Sequence, residues 1–520
     1  MSAKGDRIKN SLRNSACGLF FYALSMVLSF ISNRAFIHNL GAELFGLNNT
    51  IFSIMEMLNL AELGVASAMA SFLYAPLAND DRRTVAELVS LQGWIYRRVA
   101  LFILIASVVV ALLVPLIFSS SDVPIPYALA TVFVLLLGSL STYLLNFREV
   151  ILDADQRNSD VVFAYRLPAV IRLTLQILAI EFTPYGYQLW LVLQLFGYAL
   201  TAFLMRRAVK SRYPHFLHLD VAGAGPLRHK YPEVFRRVGQ VFAHRLAYVV
   251  LVRVSPLTIF AFTSLSVVAA YGNYILIYGG LTMLLYTIQE GFQGSIGNLV
   301  AQSDREENGR VFTQLLAVDC LLGAVCAFGF FSFSDAFVTL WVGPEMVLDR
   351  VTVAALSVMV FITVSRAAIT QFLQAHGFFD DVWAAFIEAG LNITLSILFG
   401  MKWGLPGVLC GVVSSLVLIV LIWKPFYLFR VKRCGSLAVY WRSWLSYVFV
   451  AAVAAVCFSW LFRSLEPLAS LSFFALLWRM AWLSVLYAFA LFLLFLLFSS
   501  PMRKVAVRML GIIRSRLISG

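Results

Sequence analysis

Apolar runs long enough for a helix to cross about 30 Å of hydrocarbon follow one another along almost the whole chain. They lie near residues 15–37, 47–70, 94–118, 126–147, 160–181, 187–207, 238–262, 267–288, 311–334, 351–374, 380–401, 404–429, 440–462 and 471–499. The runs are continuously apolar and show no alternation of period two, which predicts helices rather than the strands of a barrel. No water-soluble domain fits between them. The expected fold is an all-α polytopic membrane protein with about 14 transmembrane helices.

Part of this pattern occurs twice. Leu152-Asp153-Ala154, Asp160-Val161 and Thr174-Leu175-Gln176-Ile177-Leu178 return as Leu373-Gln374-Ala375, Asp381-Val382 and Thr394-Leu395-Ser396-Ile397-Leu398, at an offset of 221 that slips to 220. Fainter echoes keep the same order: Phe45-Gly46 with Tyr271-Gly272, the turn Leu73 to Asp81-Arg82 with Val300 to Asp304-Arg305 near offset 223, Ser121-Asp122 with Ser334-Asp335, and Tyr185-Gly186 with Trp403-Gly404. Together they predict two six-helix repeats, spans 1–6 and 7–12. Because six is even, both copies enter the membrane from the same side; such parallel repeats are typical of transporters whose site lies between the halves. The predicted division is an interfacial segment 1–14, an N-lobe 15–209, a basic linker 210–237, a C-lobe 238–430, two extra C-terminal spans in 431–500 and a basic amphipathic tail 501–520.

Composition agrees: of 520 residues 61% are hydrophobic and 13% charged, against about 25% charged in soluble domains, and the mean hydropathy is +0.85. The 40 Lys and Arg residues outnumber the acids by 13. They gather at the termini and in the even-to-odd connections, while Arg34, Arg350, Lys402 and Arg463 fall in connections on the opposite side. By the positive-inside rule both termini are cytoplasmic. Topology and anionic lipid account for the surplus, so no nucleic-acid partner is implied. The six cysteines form no Cys-x-x-Cys pair and read as small apolar residues. His215 and His218 in the linker have no third ligand nearby, so no metal site is predicted.

Charges inside the spans change the picture. Arg172, Arg245, Arg253 and Arg366 fall at membrane depth, where an arginine costs about 2.5–3.5 kcal/mol on insertion scales. Arg245 and Arg253 are eight apart and share roughly one helix face. Such guanidiniums can hold an anion through bidentate contacts. Alternatively, they pair with the acids Glu56, Glu62, Asp319 or Glu388, which are also candidate coupling residues. No nucleotide-binding loop, His-Glu-x-x-His or Gly-x-Ser-x-Gly is present, so no catalysis, ATP coupling or cofactor is expected.

A set of local motifs then points to a family. Leu40-Gly41 with Gly46-Leu47, Ala61-Glu62-Leu63-Gly64, Leu73-Tyr74-x-Pro76-Leu77, Tyr271-x-Asn273-Tyr274, Gly297-Asn298-Leu299-Val300-Ala301, Leu340-Trp341-Val342-Gly343 and Gln374-Ala375-x-Gly377-x-x-Asp380 resemble the polysaccharide-transporter branch of the multidrug, oligosaccharidyl-lipid and polysaccharide exporter superfamily. The resemblance covers about residues 7–430 and leaves spans 13 and 14 outside. It implies a bacterial inner-membrane flippase that moves undecaprenyl-pyrophosphate-linked oligosaccharide by alternating access, for O-antigen, capsule or exopolysaccharide synthesis, with other polysaccharide-assembly proteins as partners. On that reading the four arginines neutralise the pyrophosphate and Tyr271, Asn273, Tyr274 and Gln374 contact sugar. Ser255 stands where many relatives carry an acid, which weakens a coupling-cation role for span 7. The alternatives are a cation-coupled multidrug exporter and, from another class, a membrane glycan polymerase or ligase.

Overall fold

The computed structural model describes residues 2–59, 65–119, 121–155, 158–216, 219–302, 304–378, 380–432, 434–462 and 471–508, without the side chains of 2–19, 67, 158–159, 240–254, 287–288, 290–292, 294–295, 301, 305 and 382. Every regular element among the described residues is helical, and 11 segments are long and apolar enough to cross a membrane. The difference from 14 has three sources. Spans 11 and 12 form one folded-back segment, Trp383–Val431. Span 2 is divided into α2 (Ala42–Leu58) and α3 (Val65–Ala78). Span 7 is α10 (Pro232–Phe262), many of whose side chains lie outside the described set. The chain is a multi-pass helical membrane protein.

It divides into two compact units, 1–269 and 270–520. In the first, α1 (Ser2–Leu40) packs on α2 and on α7 (Asn158–Phe182), and α7 packs in turn on α8 (Gly186–Arg212). The helices α4 (Arg82–Ile117) and α5 (Ile125–Leu145) join them, and α10 lies against α2 and α3. Gly46 of α2 makes room for the chain that follows α10: a Cβ there would stand 1.9 Å from the backbone oxygen of Leu265.

In the second unit α12 (Arg305–Val342) is central and contacts α13 (Arg350–Ser365), α14 (Ala367–Ala375) and the two C-terminal helices, α17 (Leu437–Leu461) and α18 (Phe473–Phe498). Those last two are therefore integral to the unit. Phe328 of α12 stacks on Tyr487 of α18 with centroids 4.1 Å apart, and Tyr447 stacks on Phe495 at 4.9 Å. The hydroxyls remain satisfied, Tyr487 donating to the Ala451 carbonyl at 3.1 Å and Tyr447 meeting the Ser499 hydroxyl at 2.8 Å, as buried tyrosines require.

Several sequence echoes have a physical basis. Asp81 and Asp304 each cap a long helix, accepting from the N–H of Thr84 at 3.1 Å and of Glu307 at 2.8 Å; both satisfy amides that a helix start leaves open. Tyr185-Gly186 begins α8, and its counterpart Gly404 (φ 59°) is the bend inside α15 (Val382–Ser415). The arms of α15 then touch backbone to backbone, because Cβ atoms at Gly407 and Gly411 would fall 2.1 and 2.3 Å from Phe399 O and Ser396 N. Ser121-Asp122 precedes α5, whereas Ser334-Asp335 lies inside α12, so that echo marks no shared position.

The helices just before the repeated stretch break at matching places. The first, α5, ends at Asn146 and the chain restarts as α6 (Glu149–Ala154); α13 ends at Arg366 and restarts as α14. Each break lies beside a polar pocket.

Candidate functional site

In the second unit a cavity of about 380 Å³ opens at the α13–α14 break. From α11 (Leu265–Gln302) come Thr282, Leu285, Tyr286, Gln289 and Gln293; across the break come Thr363, Val364, Arg366, Ala367, Thr370, Gln371 and Gln374. None of these is a carboxylate. Breaking the helix frees backbone N–H groups, and one is satisfied by Asp319 of α12, whose Oδ2 accepts from Ala368 N at 2.9 Å. Its Oδ1 accepts from Gln289 Nε2 at 3.1 Å. Gln371 Nε2 donates to the Gln289 carbonyl at 2.7 Å and Gln293 Nε2 to the Gln371 carbonyl at 3.4 Å, so glutamines tie α11 to α14. Arg366 is held differently. The buried Glu388 of α15 feels its charge together with that of Lys424, but among the described residues no hydrogen bond or ion pair engages its guanidinium.

The first unit has a smaller cavity, about 200 Å³, lined by Ser141, Thr142 and Asn146 at the α5 end, Tyr165, Ala169 and Arg172 on α7, and Gln194, Gly197, Tyr198 and Thr201 on α8. Arg172 Nη1 donates to the side-chain oxygens of Gln176 (2.9 Å) and Gln194 (2.5 Å). Gln194 Nε2 donates to the Tyr198 hydroxyl at 2.8 Å. Neutral amides orient this guanidinium, and no carboxylate accepts from it among the described residues. An arginine so placed retains most of its positive field in a low-dielectric setting.

Of the residues singled out in the sequence, Arg366 and Gln374 share the second unit's cavity, and Arg172 lines the first unit's. The side chains of Arg245 and Arg253 and all of Glu62 lie outside the described residues. Glu56 on α2 is half-buried and its charge is felt at Tyr198. Asp319 caps a helix and pairs with no arginine among the described residues. Tyr271, Asn273 and Tyr274 are buried and are not among the residues lining either of these two cavities. The Tyr274 hydroxyl donates to Asp335 at 2.8 Å and accepts from Leu348 N at 3.4 Å; this tyrosine fastens α11 to α12 and the following loop. Gln289, Gln293 and Gln371 were not anticipated, although Gln289 and Gln293 at i, i+4 on an apolar helix, with Gln371 and Gln374 at i, i+3, are the kind of polar stripe that lines a protein-facing surface in a membrane.

No protein-family model matches the chain, and no curated protein matches it in sequence. Solved structures do match. The lipid II flippase MurJ in an inward closed conformation is similar with a TM-score of 0.63 and 15% identity, over 93% of this chain and 99% of that one. The fold is that of MurJ. An inward-facing multidrug resistance transporter of the MATE family, in the MOP superfamily, is similar with a TM-score of 0.59 and 13% identity, over 81% of this chain and all of that one. The shared MurJ and MATE architecture is the fold expected from the superfamily resemblance. At these identities the likeness concerns the scaffold, and the side chains of both pockets are this chain's own.

Proposed function

We propose that the protein is a flippase for lipid-linked oligosaccharides, carrying an undecaprenyl-pyrophosphate-linked glycan across the bacterial inner membrane for surface polysaccharide synthesis. The observation that carries this reading is Arg366, a cation free of ion pairs among the described residues, in a cavity whose described lining includes glutamine, threonine and tyrosine and no carboxylate. Amides and hydroxyls match sugar hydroxyls, and a guanidinium matches a phosphate oxygen pair. Arg366 and Arg172 meet the pyrophosphate, with Arg245 and Arg253 as further donors from α10, and Gln374 contacts sugar. The polyprenyl tail stays in the bilayer while the lobes, 15–209 and 238–430, alternate in access. Both termini are cytoplasmic, so the 210–237 linker is too, and other polysaccharide-assembly proteins are partners on the membrane. MurJ, a lipid II flippase by name, supports a lipid-linked substrate. A multidrug exporter of cations would be expected to offer carboxylates in this cavity.

The reading is tested in cells that need this chain for surface glycan. Arg366→Asn and Gln374→Leu should lower surface glycan while the protein remains at wild-type levels in the membrane. Normal surface glycan from both variants would remove the second unit's cavity from the transport path.

A further inference from the structure

We propose that Asp319, which does not line the cavity, sets its specificity by fixing the orientation of the Gln289 amide, and that protonation of Asp319 reverses that orientation. This rests on the cavity being the sugar site. The geometry is as follows. Asp319 is buried on α12 (5% exposed) and has two neutral partners, Ala368 N at 2.9 Å and Gln289 Nε2 at 3.1 Å. An ionised carboxylate only accepts hydrogen bonds, so Gln289 must turn its amino group toward Asp319. The second hydrogen of that amino group reaches the Val364 carbonyl at 3.5 Å. With its donors directed at Asp319 and Val364, Gln289 leaves its side-chain carbonyl as the atom available to the cavity.

The neighbouring amides follow the same rule. Gln371 and Gln293 both spend an amino hydrogen on a backbone carbonyl, at 2.7 and 3.4 Å, and a backbone carbonyl cannot donate. Three glutamines thus direct donors into protein, and the described lining combines oxygen acceptors with one cation, Arg366. Such a wall accepts from sugar hydroxyls.

A proton on Asp319 Oδ1 turns that oxygen into a donor. The favourable partner is then Gln289 Oε1, and the amide must rotate by half a turn, presenting its amino group to the cavity. Oδ2 continues to accept from Ala368, so the helix break stays capped. One proton therefore exchanges an acceptor for a donor at one point of the cavity wall, which links proton uptake to sugar binding with no movement of a helix. The groups around Asp319 are Cys320 beside it on α12, Arg366 two residues before Ala368 at the break, Glu388 on α15 within range of Arg366, and Tyr440 and Tyr447 of α17 within range of Cys320. The side chain of Glu290 on α11 lies outside the described residues.

The test is infrared difference spectroscopy of the full-length protein in lipid nanodiscs across a pH step, with no ligand. The wild type should show a protonated-carboxyl band accompanied by a shift of a glutamine amide carbonyl band. Both should vanish in Asp319→Asn. In Gln289→Leu, which leaves the cap intact, the carboxyl band should remain at a changed frequency and the amide component should be lost. A carboxyl band unaltered by either substitution, or an amide component that survives Gln289→Leu, would overturn the proposal. Binding of inorganic pyrophosphate, measured on the same samples, separates this from the transport reading: loss of Arg366-dependent binding with the infrared changes intact removes the anion site alone, and the reverse removes the Asp319 role alone.

Discussion

Asn146 and Arg366 each close the first half of a broken helix, one in each unit, with backbone angles of φ −96°, ψ −1° and φ −76°, ψ −9°. Each lines its own unit's cavity. The relation also runs the other way. Arg172 donates to Gln194 in the first unit, and in the second unit Asn392, which with Ile393 is one of the two residues facing Arg172 across the one-residue slip, donates to Ser415 at 3.4 Å. Asn146 shows that an asparagine can close the first half of such a helix break, so Arg366→Asn keeps a polar side chain that a helix end of this kind tolerates. It should change thermal stability by no more than about 0.5 kcal/mol, while weakening pyrophosphate binding at least about tenfold, since charge-assisted hydrogen bonds contribute roughly 1.5–3 kcal/mol. Thermal unfolding in detergent and calorimetric titration check the two halves of this expectation.

Gly197 on α8 gives the stem of Arg172 its place, since a Cβ at 197 would lie 2.6 Å from Arg172 Cδ. Gly197→Leu should displace the guanidinium from Gln176 and Gln194 and cost about 1–3 kcal/mol of stability through overpacking. Glycan export should fall as far as in Arg172→Asn, and the double variant should show no further loss. An additive loss in export would mean that the glycine acts independently of the arginine.

The paired caps provide a test of the repeat. Asp304→Ala should cost about 1 kcal/mol, and Asp81→Ala should shift thermal stability in the same direction. Hydrogen bonds from Thr84 hold the Asp81 carboxyl below its ordinary value. A carboxyl with a depressed folded-state value stabilises at neutral pH, and the stabilisation is lost as pH falls through that value. The gap between wild type and Asp81→Ala should accordingly be full at pH 7 and close below pH ~4. Melting curves taken across that range check it.

The linker between the repeats is folded onto the first unit. Glu87 on α4 accepts from Lys230 and, at 2.6 Å, from the Tyr231 hydroxyl, Arg148 Nε donates to the Phe216 carbonyl at 3.1 Å, and Val221 and Ala224 are buried. The hydrogen bond to Glu87 raises the Lys230 amine above its ordinary value. Glu87→Ala should release the 226–231 end, and trypsin should cut at Arg228 and Lys230 several times faster than in wild type. Unchanged digestion would show that the buried residues alone hold the segment.

How far the sequence spoke depended on what each signal measures. Length and hydropathy located the spans because crossing hydrocarbon requires about 20 apolar residues, and the Leu152 and Leu373 segments revealed the repeat because matching breaks and caps need matching residues. Pockets were harder to read. Arg366 and Gln374 stood out as charge and amide at membrane depth, but Tyr271, Asn273 and Tyr274 look the same in a sequence whether they face a sugar or a neighbouring helix. The Tyr274 hydroxyl is held by Asp335, which lies 61 positions away. The orientation of Gln289 depends likewise on Asp319, a contact between helices that hydropathy cannot report.

The most direct test of the central claim is transfer of an undecaprenyl-pyrophosphate-linked oligosaccharide across the bilayer of proteoliposomes containing the purified protein. Wild-type protein should move the lipid-linked glycan, and Arg366→Asn, incorporated in equal amount, should move it at least about tenfold more slowly, as expected from the loss of one charge-assisted contact. Transfer no faster than in empty liposomes, or equal rates for the two proteins, would contradict the account.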